Sequence, residues 1–159
     1  VLNENVLKKM TDYMDGNPDI GLLSPRICFP DGRDQILGKR NPRLKYLVAS
    51  RLRGEEPGKL LREYAMLDCD LSEPVRIENA TGCFMLLRTE ILKKIGGFDD
   101  GYFMYFEDAD LARRVNEVSK CVYYPYAIVN HVWGRESKRN RLGIKETGCV
   151  AGSAPGHFL

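Results

Sequence analysis

Three acidic side chains stand close together in the segment Phe106-Glu107-Asp108-Ala109-Asp110-Leu111. The apolar spacing that follows predicts a helix from about residue 107 to residue 118. Asp108 precedes Leu111 and Ala112 by three and four residues, so it is expected on their inward face at the helix start. Unpaired N–H groups and the helix dipole stabilise a carboxylate anion there, which suits a general base. The alternative is that Asp108 only caps the helix, with Glu107 and Asp110 on the surface of its first turn.

Two further side chains, His131 and Trp133, follow a predicted strand. His131 is either a half-buried histidine with ordinary hydrogen bonds or a metal ligand, and no second ligand lies at a local chelating spacing. Trp133, the single tryptophan, is either a core residue or an aromatic platform. The pair Asp99-Asp100 before Gly101 is typical of a turn and does not indicate a metal site.

The elements that position these residues alternate between short strands and helices, the pattern of an α/β layered domain. A first helix is predicted after Asn3 or Asn5, ending at Gly16. A short helix at residues 90–95 is predicted between Thr89 as its cap and Gly96-Gly97 as its end. Strands are predicted at residues 20–23, 75–78, 83–87, 121–124 and 127–132.

The segment from residue 39 to residue 63 is rich in Lys and Arg. Apolar residues at helical spacing predict a basic amphipathic helix before a break at Pro57-Gly58; these are Leu44, Leu47, Val48 and Leu52. Two interpretations are open: a solvated helix whose leucines pack on the core, or a patch for anionic lipid headgroups or phosphates.

Composition limits the class of protein. The 159 residues are 43% hydrophobic and 29% charged, which fits one globular domain and excludes wholesale disorder. A net charge of +2 does not indicate a nucleic-acid partner, and no apolar run approaches the ~18 residues of a membrane span. The residues from Val1 onwards show neither the basic region nor the apolar stretch of a signal peptide, so none is predicted. Five scattered cysteines predict small core residues in a reducing compartment, hence a cytoplasmic protein.

An ordered set of motifs resembles the second half of family 2 glycosyltransferases, especially rhamnosyl- and galactofuranosyl-transferase-like members. The set runs from about Pro18 to Gly134, and each piece is weak without the others. Its pieces are Ala80-Thr81-Gly82-Cys83-Phe84-Met85-Leu86-Leu87-Arg88, Ile95-Gly96-Gly97-Phe98-Asp99, Tyr102-Phe103-Met104-Tyr105-Phe106-Glu107-Asp108-Ala109-Asp110-Leu111, Tyr124-Pro125 and Asn130-His131.

The resemblance implies a GT-A-type α/β sandwich, with a mixed sheet and flanking helices, that uses a nucleotide-sugar donor and a saccharide or lipid-linked acceptor. Asp108 takes the family position of the general base, with Glu107 in support. Gly82, Cys83 and Trp133 are placed on the acceptor and sugar side, and His131 on a divalent cation, Mg²⁺ or Mn²⁺. An ionised base on the acceptor hydroxyl, opposite a metal-neutralised leaving group, is what inverting transfer needs.

Two departures from the family pattern limit this expectation. Asn3-Glu4-Asn5 lacks the aspartate of the family's metal motif, so the nucleotide-binding half is expected to precede Val1, and this piece alone is not expected to bind the cation. Residues 1–134 are then the acceptor and catalytic-base part. Residues 135–159, charged and then rich in Gly and Ala, are expected to form a poorly ordered tail.

Three functions are therefore in competition. The chain is a piece of an inverting glycosyltransferase, a non-catalytic interaction domain that keeps the fold, or a basic module that binds membrane surfaces through residues 39–62. The sequence does not identify the donor, the acceptor or the oligomeric state.

Overall fold

A computed structural model describes residues 5–51, 57–102 and 106–132. The predictions for Asn3, Leu52, Trp133, Cys149 and the tail, and for the side chain of Leu47, lie outside the described residues. In chain order the elements are α1 (Val6–Asp15), β1 (Ile20–Cys28), α2 (Leu44–Arg51), α3 (Lys59–Tyr64), β2 (Val75–Arg76), β3 (Leu86–Leu87), α4 (Thr89–Ile95), α5 (Glu107–Val118) and β4 (Lys120–Asn130).

The described strands form one mixed sheet in the order β2-β4-β1-β3. The long strands β1 and β4 are parallel, while β3 lies antiparallel beside β1 and β2 antiparallel beside β4. The predicted α/β class, with a mixed sheet and flanking helices, is confirmed. Parallel pairing brings the carboxyl ends of β1 and β4 together, which places His131 beside Cys28: the His131 N–H donates to the Cys28 carbonyl at 2.9 Å.

Each face of the sheet carries its own core, because successive strand residues point to opposite faces. Leu23 packs in a cluster with Met10 and Met14 of α1. Leu22, the next residue on the other side, packs with Ala112 and Val115 of α5. The inward face predicted for α5 is thus confirmed for Leu111, Ala112 and Val115, whereas Val118 is 39% exposed where the helix ends.

Several predicted boundaries were wrong. The two late strands are one strand, β4, in which the register with β1 shifts: Pro25 pairs with Tyr124 but Arg26 pairs with Ile128, so the residues between them bulge. The buried strand predicted at 83–87 shortens to the half-buried β3, with Cys83 in a turn. The strand predicted at 75–78 shortens to β2.

The predicted helix caps were also wrong. Asn5 is in the left-handed region and gives α1 no side-chain cap hydrogen bond. Thr89 is the first residue of α4, and Arg88 precedes it without a side-chain cap. At the other end of α4, Gly96 adopts φ 81, which explains why glycine ends this helix as predicted.

The basic segment does not bury its apolar side as an amphipathic helix would. Leu44 and Val48, one turn apart on α2, are 76% and 48% exposed. Tyr46 of α2 is buried and stacks on Tyr64 of α3, with ring centroids 4.9 Å apart. Of the described cysteines, all free, Cys28 and Cys121 are buried as predicted, Cys83 is half-buried, and Cys69 is exposed. None of the helices in the described ranges is long and apolar enough to cross a membrane.

Candidate functional site

Asp108 connects the first turn of α5 to the turn that precedes β3. Its Oδ2 accepts the backbone N–H of Gly82 at 3.0 Å, and its Oδ1 accepts that of Ala109 at 2.8 Å. Phe106 occupies the N-cap position, so Asp108 lies inside the helix and is not its N-cap residue. Its Oδ1 accepts an N–H of the first turn, as the capping alternative expected. Its Oδ2 accepts an N–H from outside the helix, that of Gly82.

Gly82 is exposed, and Asp108 beside it is half-buried. Its φ is not positive, and a Cβ added there would stand 3.6 Å from Asp108 Cβ and 3.8 Å from its Oδ2, which is ordinary van der Waals contact. Neither the backbone conformation nor the packing of the described residues requires glycine at this position.

The charge of Asp108 affects the pKa values of two half-buried side chains, Cys83 and Tyr64. Burial, with a further contribution from Asp108, raises the pKa of the Cys83 thiol. The same two causes raise the pKa of Tyr64. Cys83 is therefore a protonated thiol near neutral pH, suited to contact and not to nucleophilic attack.

Glu107 is turned away from this group. Its Oε2 accepts the backbone N–H of Phe106 at 3.0 Å, a local contact at the start of α5. The structure thus brings together Asp108, Gly82 and Cys83 of the predicted site. Trp133 lies outside the described residues.

Asp110 anchors α5 through Arg114. The capping alternative had placed Asp110 on the surface of the first turn and did not foresee this role. Arg114 bonds Asp110 through Nε at 2.6 Å and donates through Nη1 to the carbonyls of Ile95 and Gly97, both at 2.7 Å. Burial would raise the pKa of Asp110, but the bonds from Arg114 and Arg113 lower it on balance. The i,i+4 spacing of Asp110 and Arg114 was the available signal. This ion pair ties the Gly96-Gly97 turn to the helix that carries Asp108.

His131 is held by Gln35, a buried residue that no sequence signal singled out. Gln35 Nε2 donates to the His131 carbonyl at 2.6 Å and to the Cys28 carbonyl at 3.3 Å, so its Oε1 is the acceptor that faces His131 Nδ1 at 3.3 Å. A proton on Nδ1 is what this contact requires, because the Gln35 Oε1 can only accept. No hydrogen bond or ion pair within the described ranges joins His131 to Asp108.

The residues present do not make a cation site around His131. Mg²⁺ and Mn²⁺ prefer several oxygen ligands, above all carboxylates. In the part of the chain that the structure describes, no three His, Cys, Asp or Glu side chains converge. The oriented imidazole is one ligand, without the carboxylates that would accompany it.

A cavity of about 390 Å³ lies beside the candidate site and is lined by neighbours of its residues. Gln35, the partner of His131, contributes to it, and so does Thr81, which precedes Gly82. Its volume is within the range of roughly 300–1,000 Å³ typical of small-molecule sites.

The chain is distantly related to rhamnosyltransferases. It is 30% identical over 131 residues to the N-acetylglucosaminyl-diphospho-decaprenol L-rhamnosyltransferase of Mycobacterium tuberculosis, in two strains, which covers 72% of this chain and 38% of the relative. It is 40% identical over 48 residues to rhamnosyltransferase WbbL of Escherichia coli strain K12, covering 30% of this chain and 18% of that protein. The chain thus spans well under half the length of these relatives. No family model matches the chain. No solved structure matches it.

Proposed function

We propose that this chain is the acceptor-side part of an inverting glycosyltransferase, with Asp108 as the general base. The enzyme would transfer a sugar from a nucleotide-sugar donor to a hydroxyl of a saccharide acceptor. The distant relation to rhamnosyltransferases supports the reaction class. The mycobacterial relative is named for an acceptor linked through a diphosphate to a polyprenol, which supports a lipid-linked acceptor here as well.

The contact between Asp108 and Gly82 is the observation that carries the proposal. It joins two motifs of the resemblance that are 26 residues apart in the chain. The half-buried carboxylate is oriented by two backbone N–H groups, and the missing side chain of Gly82 leaves an approach to it. A base held in position with open access can take the proton of an acceptor hydroxyl as that oxygen attacks the anomeric carbon of the donor sugar and the bond from that carbon to the nucleotide phosphate breaks, releasing the nucleotide.

The divalent cation belongs to the proposal only for a full-length enzyme. The described residues gather no ligand set for Mg²⁺ or Mn²⁺ beyond the His131 imidazole. Further ligands would have to come from residues outside the described ranges.

The test is the substitution Asp108→Asn in the full-length protein that carries this chain. The amide keeps the shape of the side chain and can still accept one N–H bond, but it is not a base. We expect turnover to fall by about 10²–10⁴-fold, the usual contribution of a general base. Glu107→Gln is the matched control and should have a smaller effect, since the hydrogen bond that Glu107 accepts is the local one from the Phe106 N–H.

The measurement is sugar transfer from a nucleotide-sugar to a soluble acceptor analogue, with circular dichroism to verify the fold of both variants. Near-normal turnover in Asp108→Asn would show that Asp108 is not the base.

A membrane-surface function has one observation in its favour and is proposed as an accessory role. Leu44 and Val48 are exposed on α2 in a segment rich in cations. An enzyme with a lipid-linked acceptor works at a membrane surface, which is consistent with a cytoplasmic protein at the inner face of the membrane.

A further inference from the structure

Apolar side chains form much of the wall of the 390 Å³ cavity. It lies where the carboxyl half of β1 meets the bulge of β4, and residues from the segments 34–39, 67–72 and 77–81 complete its lining. Each of these parts contributes an apolar side chain to the wall, and the six used here are Ile27, Leu37, Leu67, Leu71, Ile77 and Tyr123. Such a wall favours a ligand with an apolar body, because contact removes apolar surface from water.

The described lining of this cavity has one positive charge without a balancing negative charge. Its charged residues are Arg26, Asp34 and Lys39. Arg26 bonds Asp34 through Nε at 2.6 Å and Nη2 at 2.9 Å, a two-fold contact in which the two charges balance each other. Within the described ranges the Lys39 ammonium group makes neither a hydrogen bond nor an ion pair, so its charge is the one left over.

The ammonium group of Lys39 lies at the wall of the cavity. Its Nζ is 4.7 Å from the ring centroid of Tyr123, which is itself a wall residue. Burial lowers the pKa of Lys39, and the charge of Asp34 opposes this only in part. The face of an aromatic ring attracts a cation, but it brings no negative charge. An anion that enters the cavity would stabilise this half-buried charge.

We propose that this cavity binds a small carboxylic acid with an apolar body, with its carboxylate on the Lys39 ammonium and its hydrocarbon part against the apolar wall. A single negative charge matches the site, because one ammonium is available and Asp34 is near enough to act on the same group. A phosphate or diphosphate would bring more negative charge than Lys39 balances, beside a carboxylate that repels it.

This ligand is neither the donor nor the acceptor of the proposed reaction, so the inference goes beyond the proposed function and does not depend on it. Thr81 lines the cavity and precedes Gly82, whose N–H binds Asp108. The carboxylic acid would therefore lie beside the candidate active site without occupying it.

Nuclear magnetic resonance titration of the 159-residue chain with hexanoate tests the proposal. Three parallel probes separate the two requirements of the site. Hexanamide has the hydrocarbon part without the charge, acetate has the charge without most of the hydrocarbon part, and inorganic phosphate is a more highly charged anion. We expect hexanoate to bind roughly tenfold or more tightly than each of the three.

Lys39→Met keeps the aliphatic stem of the side chain and removes its charge. The folded variant should bind hexanoate no more tightly than hexanamide, because the preference between these two ligands depends on the charge alone. Lys8→Met is the matched control, because Lys8 pairs with Asp12 on α1 and its side chain is 69% exposed. This control should keep the full preference for hexanoate.

A second measurement does not depend on a folded variant. In the complex of hexanoate with the unmodified chain, the methylene protons of the ligand should give nuclear Overhauser effects to the ring protons of Tyr123. The proposal is overturned if the unmodified chain does not bind hexanoate, or if any of the parallel probes binds as tightly. It is also overturned if folded Lys39→Met keeps the preference for hexanoate over hexanamide, or if the effects to Tyr123 are absent.

Binding of the carboxylic acid and sugar transfer fail separately. Lys39-dependent binding of hexanoate together with normal turnover in Asp108→Asn would contradict the assignment of the base alone. Loss of turnover in Asp108→Asn without binding of hexanoate to the unmodified chain would contradict this inference alone.

Discussion

Each oxygen of the Asp108 carboxylate accepts a backbone N–H. The carboxylate therefore has a fixed orientation, which a solvent-exposed carboxylate lacks. The N–H of Ala109 binds one oxygen within the first turn of α5. The N–H of Gly82, in the turn that precedes β3, binds the other. Main-chain donors do not sample rotamers, so the carboxylate is positioned before a substrate arrives. Such preorganisation is what a general base needs.

Gly82→Ala separates the role of Gly82 in access from any role in folding. Because φ at Gly82 is not positive and a Cβ finds ordinary contacts, the variant should fold normally and be equally stable or up to ~1 kcal/mol more stable. In the full-length enzyme kcat/KM for the acceptor should fall about 10–100-fold, because a methyl group would displace the hydroxyl from the base.

Denaturant unfolding and steady-state kinetics measure the two effects of Gly82→Ala. Gly16→Ala is the control, since Gly16 ends α1 at φ −74 with only loose contacts to a Cβ. Unchanged kinetics in Gly82→Ala would mean that the acceptor does not approach over this residue.

At the scale of elements, α5 is held in place by polar contacts at its first turns and by apolar contacts along its length. Leu111, Ala112 and Val115 are fully buried, which fixes the inward face. On the polar side of α5, Arg114 pairs with Asp110 and donates to the carbonyls of Ile95 and Gly97 at the end of α4. These bonds hold α5 against α4. The motif residues around Gly97 and Asp110 therefore have a structural role: they set where α5 begins, and with it where Asp108 lies.

Arg114→Met should destabilise the fold more than the loss of a surface ion pair does. The side chains of Arg114 and Asp110 are 19% and 9% exposed, so the change removes hydrogen bonds to two carbonyls and leaves Asp110 partly uncompensated. We expect a loss of about 2–3 kcal/mol in the free energy of unfolding, measured in urea. Arg113→Met removes a side chain that is 55% exposed and should stay close to the unmodified chain. Equal stability of the two variants would contradict the anchoring role of Arg114.

At the scale of the whole molecule, the surface of α2 and α3 combines exposed apolar side chains with several cations. Leu44, Val48 and Leu60 are exposed on these helices. Arg43, Lys59 and Arg62 are exposed nearby in the sequence, and Lys45 pairs with Glu63. An apolar contact supported by cations is the combination that binds anionic membrane surfaces, at about 1 kcal/mol per cation near the surface.

Co-sedimentation with vesicles that contain anionic lipid tests this surface. We expect binding at low ionic strength that weakens at high ionic strength, because the Debye length shortens from ~30 Å at 0.01 M to ~8 Å at 0.15 M salt. The double substitution Leu44→Ser with Val48→Ser should reduce binding. Val118→Ser, at an apolar position of α5 that is 39% exposed, is the control and should not. Absence of binding at low salt would leave α2 with a structural role only.

The amino-acid sequence alone determined the features that depend on neighbours within a few residues. The start and end of α5, its buried stripe and the glycine stop after α4 all follow from helical periodicity and local backbone preference. The α/β class follows in the same way from the alternation of short strands and helices.

Only the tertiary structure decided which distant residues meet and which apolar residues remain exposed. The contact of Asp108 with Gly82 spans 26 residues, and that of Gln35 with His131 spans 96. The same holds for Leu44 and Val48: their helical spacing left core packing and contact with an anionic surface both open, and in the described part of the chain they are 76% and 48% exposed. The physical reason is that periodicity states which side of an element is apolar, whereas strand pairing and packing between remote segments choose its neighbours.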